Sequence, residues 1–250
     1  MKHGKLQFHL ITRPNWNIFI MISLIFYFSC NAQNTNQQNF VKQRENMVKT
    51  QIEARGVKDK KVLEAMRKVE RHKFVPSNIQ NQAYQDFPLP IGDGQTISQP
   101  YIVALMTEVL DLDNTKNILE IGTGSGYQAA VLAEICNMVY TIEIVKALGE
   151  KSKKLLADLN YNNVIVKTGD GYQGWKEHSP FDAIIVTCAP THIPQALKDQ
   201  LAEGGKMVIP VGGSFAQELV LLTKKSGKIK ETDIIPVRFV PMMGKNGRKY

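Results

Sequence analysis

Cysteine is scarce in this 250-residue chain, which holds only Cys30, Cys136 and Cys188. They lie far apart, their number is odd and no Cys-x-x-Cys occurs, which excludes a disulfide framework and a cysteine-built zinc site. The five histidines, His3, His9, His72, His178 and His192, show no His-Glu-x-x-His or other ligand spacing, so no metal is expected. No apolar run approaches the ~20 residues of a membrane-crossing helix, and no stable membrane span is expected. A basic stripe interleaved with aromatics is also missing, so nucleic acid is not expected as a partner despite a net charge of +8. Lys224, Lys225, Lys228 and Lys230 cluster, but they flank Ser226-Gly227 and read as a solvated hairpin turn.

What remains is an ordinary globular composition, 43% hydrophobic and 22% charged, at a length that suits one sizeable α/β domain. The first residues stand apart. Lys2, Lys5 and Arg13, with no acid through residue 32, precede the eleven-residue stretch Ile18–Phe28 and then the small residues Ser29, Cys30 and Ala32. That is the layout of a secretory signal, and Cys30 offers a lipoprotein acceptor, with Tyr27 and Phe28 atypical for such a site. Residues 31–38 read as a polar linker. Residues 1–38 are therefore set outside the fold, leaving a domain over 39–250.

Within that domain the period is first helical. Val41, Met47, Val48 and Ile52, then Val62, Leu63, Met66 and Val69, recur at three- and four-residue steps, with Gly56 as a stop between them. Residues 74–98 are rich in Pro, Gly, Asn and Gln and read as a long ordered loop, the kind that tends to carry function. Pro100 opens another helix with Ile102, Val103, Met106, Val109 and Leu110 on one face. Short apolar runs and helical stretches then alternate. Strands are expected over 117–121, 139–144, 164–168, 183–186, 207–211, 218–223 and 234–240, and helices over 126–136, 145–159 and 193–203. This predicts a doubly wound α/β fold, a mostly parallel seven-stranded sheet with helices on both faces. The last two runs, joined by residues 224–230, predict a C-terminal antiparallel hairpin.

One turn carries most of the functional signal. The strand ending at Ile121 runs into Gly122-x-Gly124-x-Gly126 and then a helical pattern. A dinucleotide site wants its third glycine at the place held by Tyr127, and a phosphate-binding loop needs a Gly-Lys-Ser/Thr ending that is absent. The pattern Glu120-x-Gly122-x-Gly124-x-Gly126 instead resembles the first motif of S-adenosylmethionine-dependent methyltransferases. Glu143 closes the second strand, 17 residues after Gly126, where a carboxylate can accept hydrogen bonds from both hydroxyls of a ribose. Asp170 follows the third strand, able to accept from an adenine amino group, while Gly171 admits the ring; a plain Asp-Gly turn is the alternative. Strand ends of this kind converge on one crevice at the carboxyl edge of a doubly wound sheet. S-adenosylmethionine is the expected cofactor.

A second set of stretches narrows the resemblance. GQTISQP (94–100), LEIGTGSGYQAAVLA (119–133), GDGYQGW (169–175), IIVTCAPTHIPQAL (184–197), GGKMVIPVG (204–212) and VRFVPM (237–242) are similar, in order, to protein-L-isoaspartate O-methyltransferases. The resemblance implies a methyltransferase Rossmann-like fold and repair of damaged proteins by methylation of the α-carboxylate of L-isoaspartyl residues. Isoaspartyl proteins and peptides would be the partners, and the chain a monomer. Residues 39–98 would hold the N-terminal helices and substrate loop, and 99–250 the cofactor-binding core. Ser98 matches the family's active-site serine, expected to hydrogen-bond the acceptor directly or through a water; a serine two residues before a helical proline also suits a helix cap. Thr96 and Gln95 are secondary substrate-binding candidates.

The implied chemistry asks little of the protein. An acceptor carboxyl of reference pKa about 3.5–4 is ionised at neutral pH, so no general base is required. Two features depart from the family. Cys188 stands where relatives carry a smaller residue and reads as a small buried side chain. The signal-like N-terminus is foreign to a cytoplasmic family whose methyl donor is made in the cytosol. Export to the periplasm or a lipid anchor is one alternative; a translation start lower down, for example at Met47, with a cytoplasmic enzyme, is the other and is preferred on donor supply. Three rival functions remain open at this point. One is a methyltransferase of this fold acting on RNA, DNA or a small molecule, although TCAP (187–190) lacks the Asn/Asp-Pro-Pro-Tyr/Phe of nucleic-acid amino-methylating enzymes. The others are a non-catalytic S-adenosylmethionine-binding protein and a nicotinamide oxidoreductase.

Overall fold

The computed structural model describes residues 37–213, 215–245 and 247–250. The chain divides into two compact units, Met1–Lys42 and Gln43–Tyr250. Of the first, residues 37–42 are described and are helical. Two of these, residues 37 and 38, were assigned by composition to the linker. The signal-like segment and Cys30 lie outside the described residues.

Helix α1 covers residues 37–47 and runs into one π-helical turn, Val48–Ile52, and a short 3-10 turn, Glu53–Arg55. Gly56, at φ 100°, ends the segment as its sequence predicts. Helix α2 (Lys60–Lys68) begins at Asp59, whose carboxylate accepts from the Lys61 and Val62 amides. The stretch read as a long loop is more structured than expected. It holds a 3-10 segment, Ser77–Gln82, and a small antiparallel hairpin of β1 (Leu89–Gly92) and β2 (Gln95–Ile97). Its turn is Asp93-Gly94, both in the left-handed region, the conformation that Asp-Gly favours in two-residue hairpin loops. Helix α3 (Pro100–Val109) starts on its proline.

The core is a seven-stranded sheet in the order β5-β4-β3-β6-β7-β8-β9. Strands β3 (Asn117–Ile121), β4 (Met138–Glu143), β5 (Val164–Thr168), β6 (Phe181–Val186) and β7 (Leu201–Gly212) are parallel. Strands β8 (Gln217–Lys225) and β9 (Lys228–Val237) add antiparallel at one side. Successive residues Ile118–Ile121 of β3 and Ala183–Val186 of β6 are all buried. Side chains alternate across a sheet, so burial of consecutive residues means that both faces are covered. Helices α4 (Tyr127–Ala133) and α5 (Lys146–Asp158) pack along β4 and β5, and α6 (Gln195–Gln200) precedes β7. Phe181, Ile184, Leu197, Met207, Ile209 and Leu222 belong to one continuous apolar cluster.

Two elements differ most from expectation. Strand β7 starts at Leu201, inside the helix predicted over 193–203. Strand β9 begins at Lys228 and ends at Val237, whereas the apolar run suggested 234–240. Its residues are mostly exposed because it is the sheet's edge, so Lys228, Lys230 and Glu231 replace the apolar signal. Residues 238–240 leave the sheet and are free to line a cleft. The chain builds β3, β4 and β5 outward on one side and then β6 and β7 on the other. Order therefore reverses between β3 and β6, and the crevice past their carboxyl ends is the natural ligand position.

Candidate active site

At that crevice Gly122, Gly124 and Gly126 all take positive φ, at 97°, 52° and 87°. The strictest requirement falls on Gly122. A Cβ there would lie 2.4 Å from Thr187 Oγ1, and φ 97° is strained for any L side chain. Thr187, immediately after β6, ties the two strand ends together by donating to the carbonyls of Ile121 at 3.0 Å and Gly122 at 2.7 Å. The close approach of backbone to neighbour leaves an open pocket above the turn. Its volume is about 380 Å³, and its walls include Gly122, Gly124, Ile142, Glu143, Gly171 and Met242.

Glu143 meets this cavity as expected. Its carboxylate is buried and accepts the Gly124 amide at 2.7 Å and the Val145 amide at 2.9 Å. These two donors fix the carboxylate across the end of the glycine turn and leave lone pairs for hydroxyl donors in the cavity. Asp170 sits one residue back from the lining, which is reached by Gly171. Its oxygens accept the Tyr172 amide at 3.0 Å and the Tyr250 hydroxyl at 2.6 Å. Tyr250 in turn stacks on Tyr172 with ring centroids 3.9 Å apart. A ligand amine reaching Asp170 would share or displace that tyrosine.

Glu120 is brought next to the others but does not line the cavity. It is wholly buried, and neither carboxyl oxygen has a hydrogen-bond partner. Burial pushes its pKa up to about 8, and the Glu143 charge acts in the same direction. The Thr141 hydroxyl pulls the other way, but it is engaged with Thr123 Oγ1 at 2.7 Å. Glu120 is thus a protonated acid beneath the cradle at neutral pH. Cys188 is half-buried rather than buried, because it forms part of the cavity wall. Its thiol is pushed up to about 12 by burial and stays neutral.

A second cleft of about 640 Å³ opens beside the first, between the Ser98 loop and residues 236–240. Ser98, Gln99, Ile102 and Arg238 line it, and among the described residues Arg238 is the only ionisable one in its lining. Thr96 and Thr187 line both cavities. Ser98 joins them around the small gap of about 30 Å³ against the glycine turn. Gln95 faces the first cavity and not the second. The capping alternative for Ser98 is not realised: Gln99 is the N-cap of α3 and no side chain caps it. Among the described residues the Ser98 hydroxyl makes no hydrogen bond, while its carbonyl accepts from Arg71 at 2.7 Å.

The geometry identifies residues that sequence reasoning passed over. Thr187 links the two cavities; its signal was a hydroxyl at the end of the strand next to β3. Met242 and Met243 close the first cavity from the far C-terminal segment, a role that depends on the bridge between Ala189 and Pro241. Arg71, in the run Arg71-His-Lys-Phe74, reads as a surface base yet is entirely buried.

The chain from 42 to 247 matches the family model described as protein-L-isoaspartate(D-aspartate) O-methyltransferase. It is 55% identical over 209 residues to protein-L-isoaspartate O-methyltransferase 1 of Syntrophobacter fumaroxidans, covering 84% of this chain and 98% of that one. It is 50% identical over 231 residues to protein-L-isoaspartate O-methyltransferase 2 of Shewanella sediminis, covering 91% and 95%. Among solved structures, a Plasmodium falciparum protein described as a putative protein-L-isoaspartate O-methyltransferase, in complex with S-adenosyl-L-homocysteine, superposes with a TM-score of 0.71. That pair is 29% identical, covering 81% of this chain and 99% of the other.

Proposed function

This chain belongs to the protein-L-isoaspartate(D-aspartate) O-methyltransferase family, and from that premise we propose how its own residues divide the work. The enzyme transfers the methyl group of S-adenosyl-L-methionine to the α-carboxylate of L-isoaspartyl residues in damaged proteins and peptides. The observation that carries the assignment of roles is the junction at Thr96 and Thr187. There a glycine-cradled cavity with a buried carboxylate meets an open cleft whose only ionisable lining residue, among the described residues, is a cation.

S-adenosylmethionine, when bound, supplies a methyl group on a sulfonium, open to in-line displacement by a carboxylate oxygen. The cradle fits it on two counts: bare backbone at Gly122, Gly124 and Gly171 in the cavity wall, and an acceptor carboxylate in Glu143 suited to a ribose diol. Glu143 holds the ribose, Gly122 and Gly124 let the chain approach the methionine portion, and Asp170 with Gly171 receives the adenine edge; Gly126 does not line the cavity and instead lets the turn pack against Leu156 and Ser152 of α5. Glu120 supports the cradle from beneath, as a neutral group. The acceptor enters from the outer cleft already ionised and needs no base. The Ser98 hydroxyl, unengaged in the resting site, donates to that carboxylate and fixes it in line, with Thr96 at the junction. Positioning of this kind can supply roughly 7–11 kcal/mol of the barrier reduction.

Methyl transfer from labelled donor to an isoaspartyl peptide, set against its aspartyl twin, tests the function. Label should enter the first peptide alone and be released as methanol. Equal labelling of both, or of neither, would overturn it.

No helix among the described residues is long and apolar enough to cross a membrane. We propose that the enzyme works in the cytoplasm, where its donor is made, as a monomer in keeping with its single small domain and family resemblance, and without a nucleic-acid partner, for want of a basic stripe interleaved with aromatics. The signal-like layout of residues 1–32 points the other way, and mass spectrometry of the native N-terminus decides between the two.

A further inference from the structure

Arg71 is a buried charge without a counter-ion among the described residues. Its side chain is 0% exposed. Nε donates to the Ala83 carbonyl at 2.7 Å and Nη2 to the Ser98 carbonyl at 2.7 Å, while Nη1 has no partner. The guanidinium lies 4.7 Å over the Tyr127 ring. No carboxylate pairs with it among the described residues; the ionisable groups that act on it are Tyr127 and Tyr84. Burial lowers its pKa to about 10, so it remains charged at neutral pH.

An unpaired buried cation is costly, and folds keep such groups where something else uses the charge. Here its surroundings are specific. Tyr127, which it covers, lines the small gap shared by Ser98 and Thr187. The cation therefore lies one layer beneath the point where the two cavities meet.

We propose that Arg71 is a positioning residue for the methyl acceptor: it holds the Ser98 loop by its carbonyl and offers a buried positive charge to the incoming α-carboxylate. This rests on the acceptor being the isoaspartyl carboxylate argued above. The kinetic signature follows from the chemistry. Methylation discharges the carboxylate, so a fixed cation favours the bound anion more than the transition state. Arg71 should therefore act on acceptor binding and KM more than on kcat.

The test compares an isoaspartyl peptide with its α-carboxamide twin, binding to enzyme loaded with S-adenosylhomocysteine, in wild type, Arg71→Lys and Arg71→Gln. Glutamine carries no charge and, two bonds shorter than arginine, keeps a donor only at the Nε place beside the Ala83 carbonyl; lysine keeps the charge. The preference for carboxylate over carboxamide should fall by on the order of tenfold in Arg71→Gln, the scale of one partly desolvated charge interaction. It should be largely kept in Arg71→Lys, the carboxamide serving as the measure of what the disturbed Ser98 contact costs both peptides alike. Equal weakening of both peptides in Arg71→Gln, or an unchanged ratio, would show a merely structural role and overturn the proposal. If a variant does not bind S-adenosylhomocysteine, the wild type still decides by nitrogen-15 spectroscopy. The Arg71 guanidinium resonance should move with the isoaspartyl peptide and not with the carboxamide; a resonance that ignores both would overturn the proposal. A wild type that methylates no isoaspartyl peptide would instead sink the functional reading itself.

Discussion

The Thr187 hydroxyl donates to the Gly122 carbonyl at 2.7 Å and so fastens the end of β6 to the start of the glycine turn. The same hydroxyl would lie 2.4 Å from a Cβ on residue 122. One contact thus joins the two halves of the sheet at the crevice and forbids a side chain there. Gly122→Ala should lower unfolding stability by about 2–3 kcal/mol, from the strained φ and the forced displacement of Thr187. Denaturant unfolding of the two proteins measures it.

In the proposed reading, nucleoside recognition rests on Glu143. Glu143→Gln keeps the shape but loses a charged acceptor and puts an amide where two backbone amides donate. Affinity for S-adenosylhomocysteine should fall about 10- to 100-fold, in line with ~1.5–3 kcal/mol for a hydrogen bond to a charged group. Calorimetry reads this directly, and unchanged affinity would remove Glu143 from the cofactor site.

Ser98→Ala should separate binding from transfer. The Ser98 hydroxyl makes no hydrogen bond among the described residues, so stability and S-adenosylhomocysteine affinity should stay as in wild type. Turnover with an isoaspartyl peptide should fall on the order of 10²-fold, the cost of letting an in-line acceptor shift by about 1 Å. Full turnover in the variant would exclude Ser98 from the reaction.

The buried acid beneath the cradle gives a pH dependence of known sign. Glu120 has its pKa raised from the ordinary 4.5 to about 8 in the folded protein. Below about pH 4.5 both folded and unfolded chains carry the proton, and the group has no effect. Between 4.5 and 8 the unfolded chain releases it while the folded chain keeps it, so this group lowers stability as pH rises, with no further loss above 8. In Glu120→Gln that slope disappears. The variant's stability relative to wild type should improve by on the order of 2–4 kcal/mol between pH 5 and pH 8.5. Parallel unfolding curves at the two pH values would contradict the assignment.

How much of this was legible depends on where each residue sits. Strand β3 carries an apolar run that matches its observed ends, because covered faces demand it. Edge strand β9 does not, since its outward residues answer to solvent. The β1–β2 hairpin is only four and three residues long, and its Asp93-Gly94 signal was submerged in a Pro- and Gly-rich stretch. Glu143 and the glycines could be read because the rule that places ligands at strand ends needs only topology. Arg71 and Thr187 could not: the first looks like a surface base and the second like an ordinary strand end. Their roles come from neighbours 27 and 65 residues away in the chain.

The most direct test of the account is a crystal structure with S-adenosylhomocysteine and an isoaspartyl peptide bound together. The account predicts the ribose on Glu143 and the peptide's free carboxylate within hydrogen-bonding distance of the Ser98 hydroxyl. The line from sulfur to acceptor oxygen should pass between Thr96 and Thr187. A carboxylate bound elsewhere, or a nucleoside outside the glycine cradle, would contradict it.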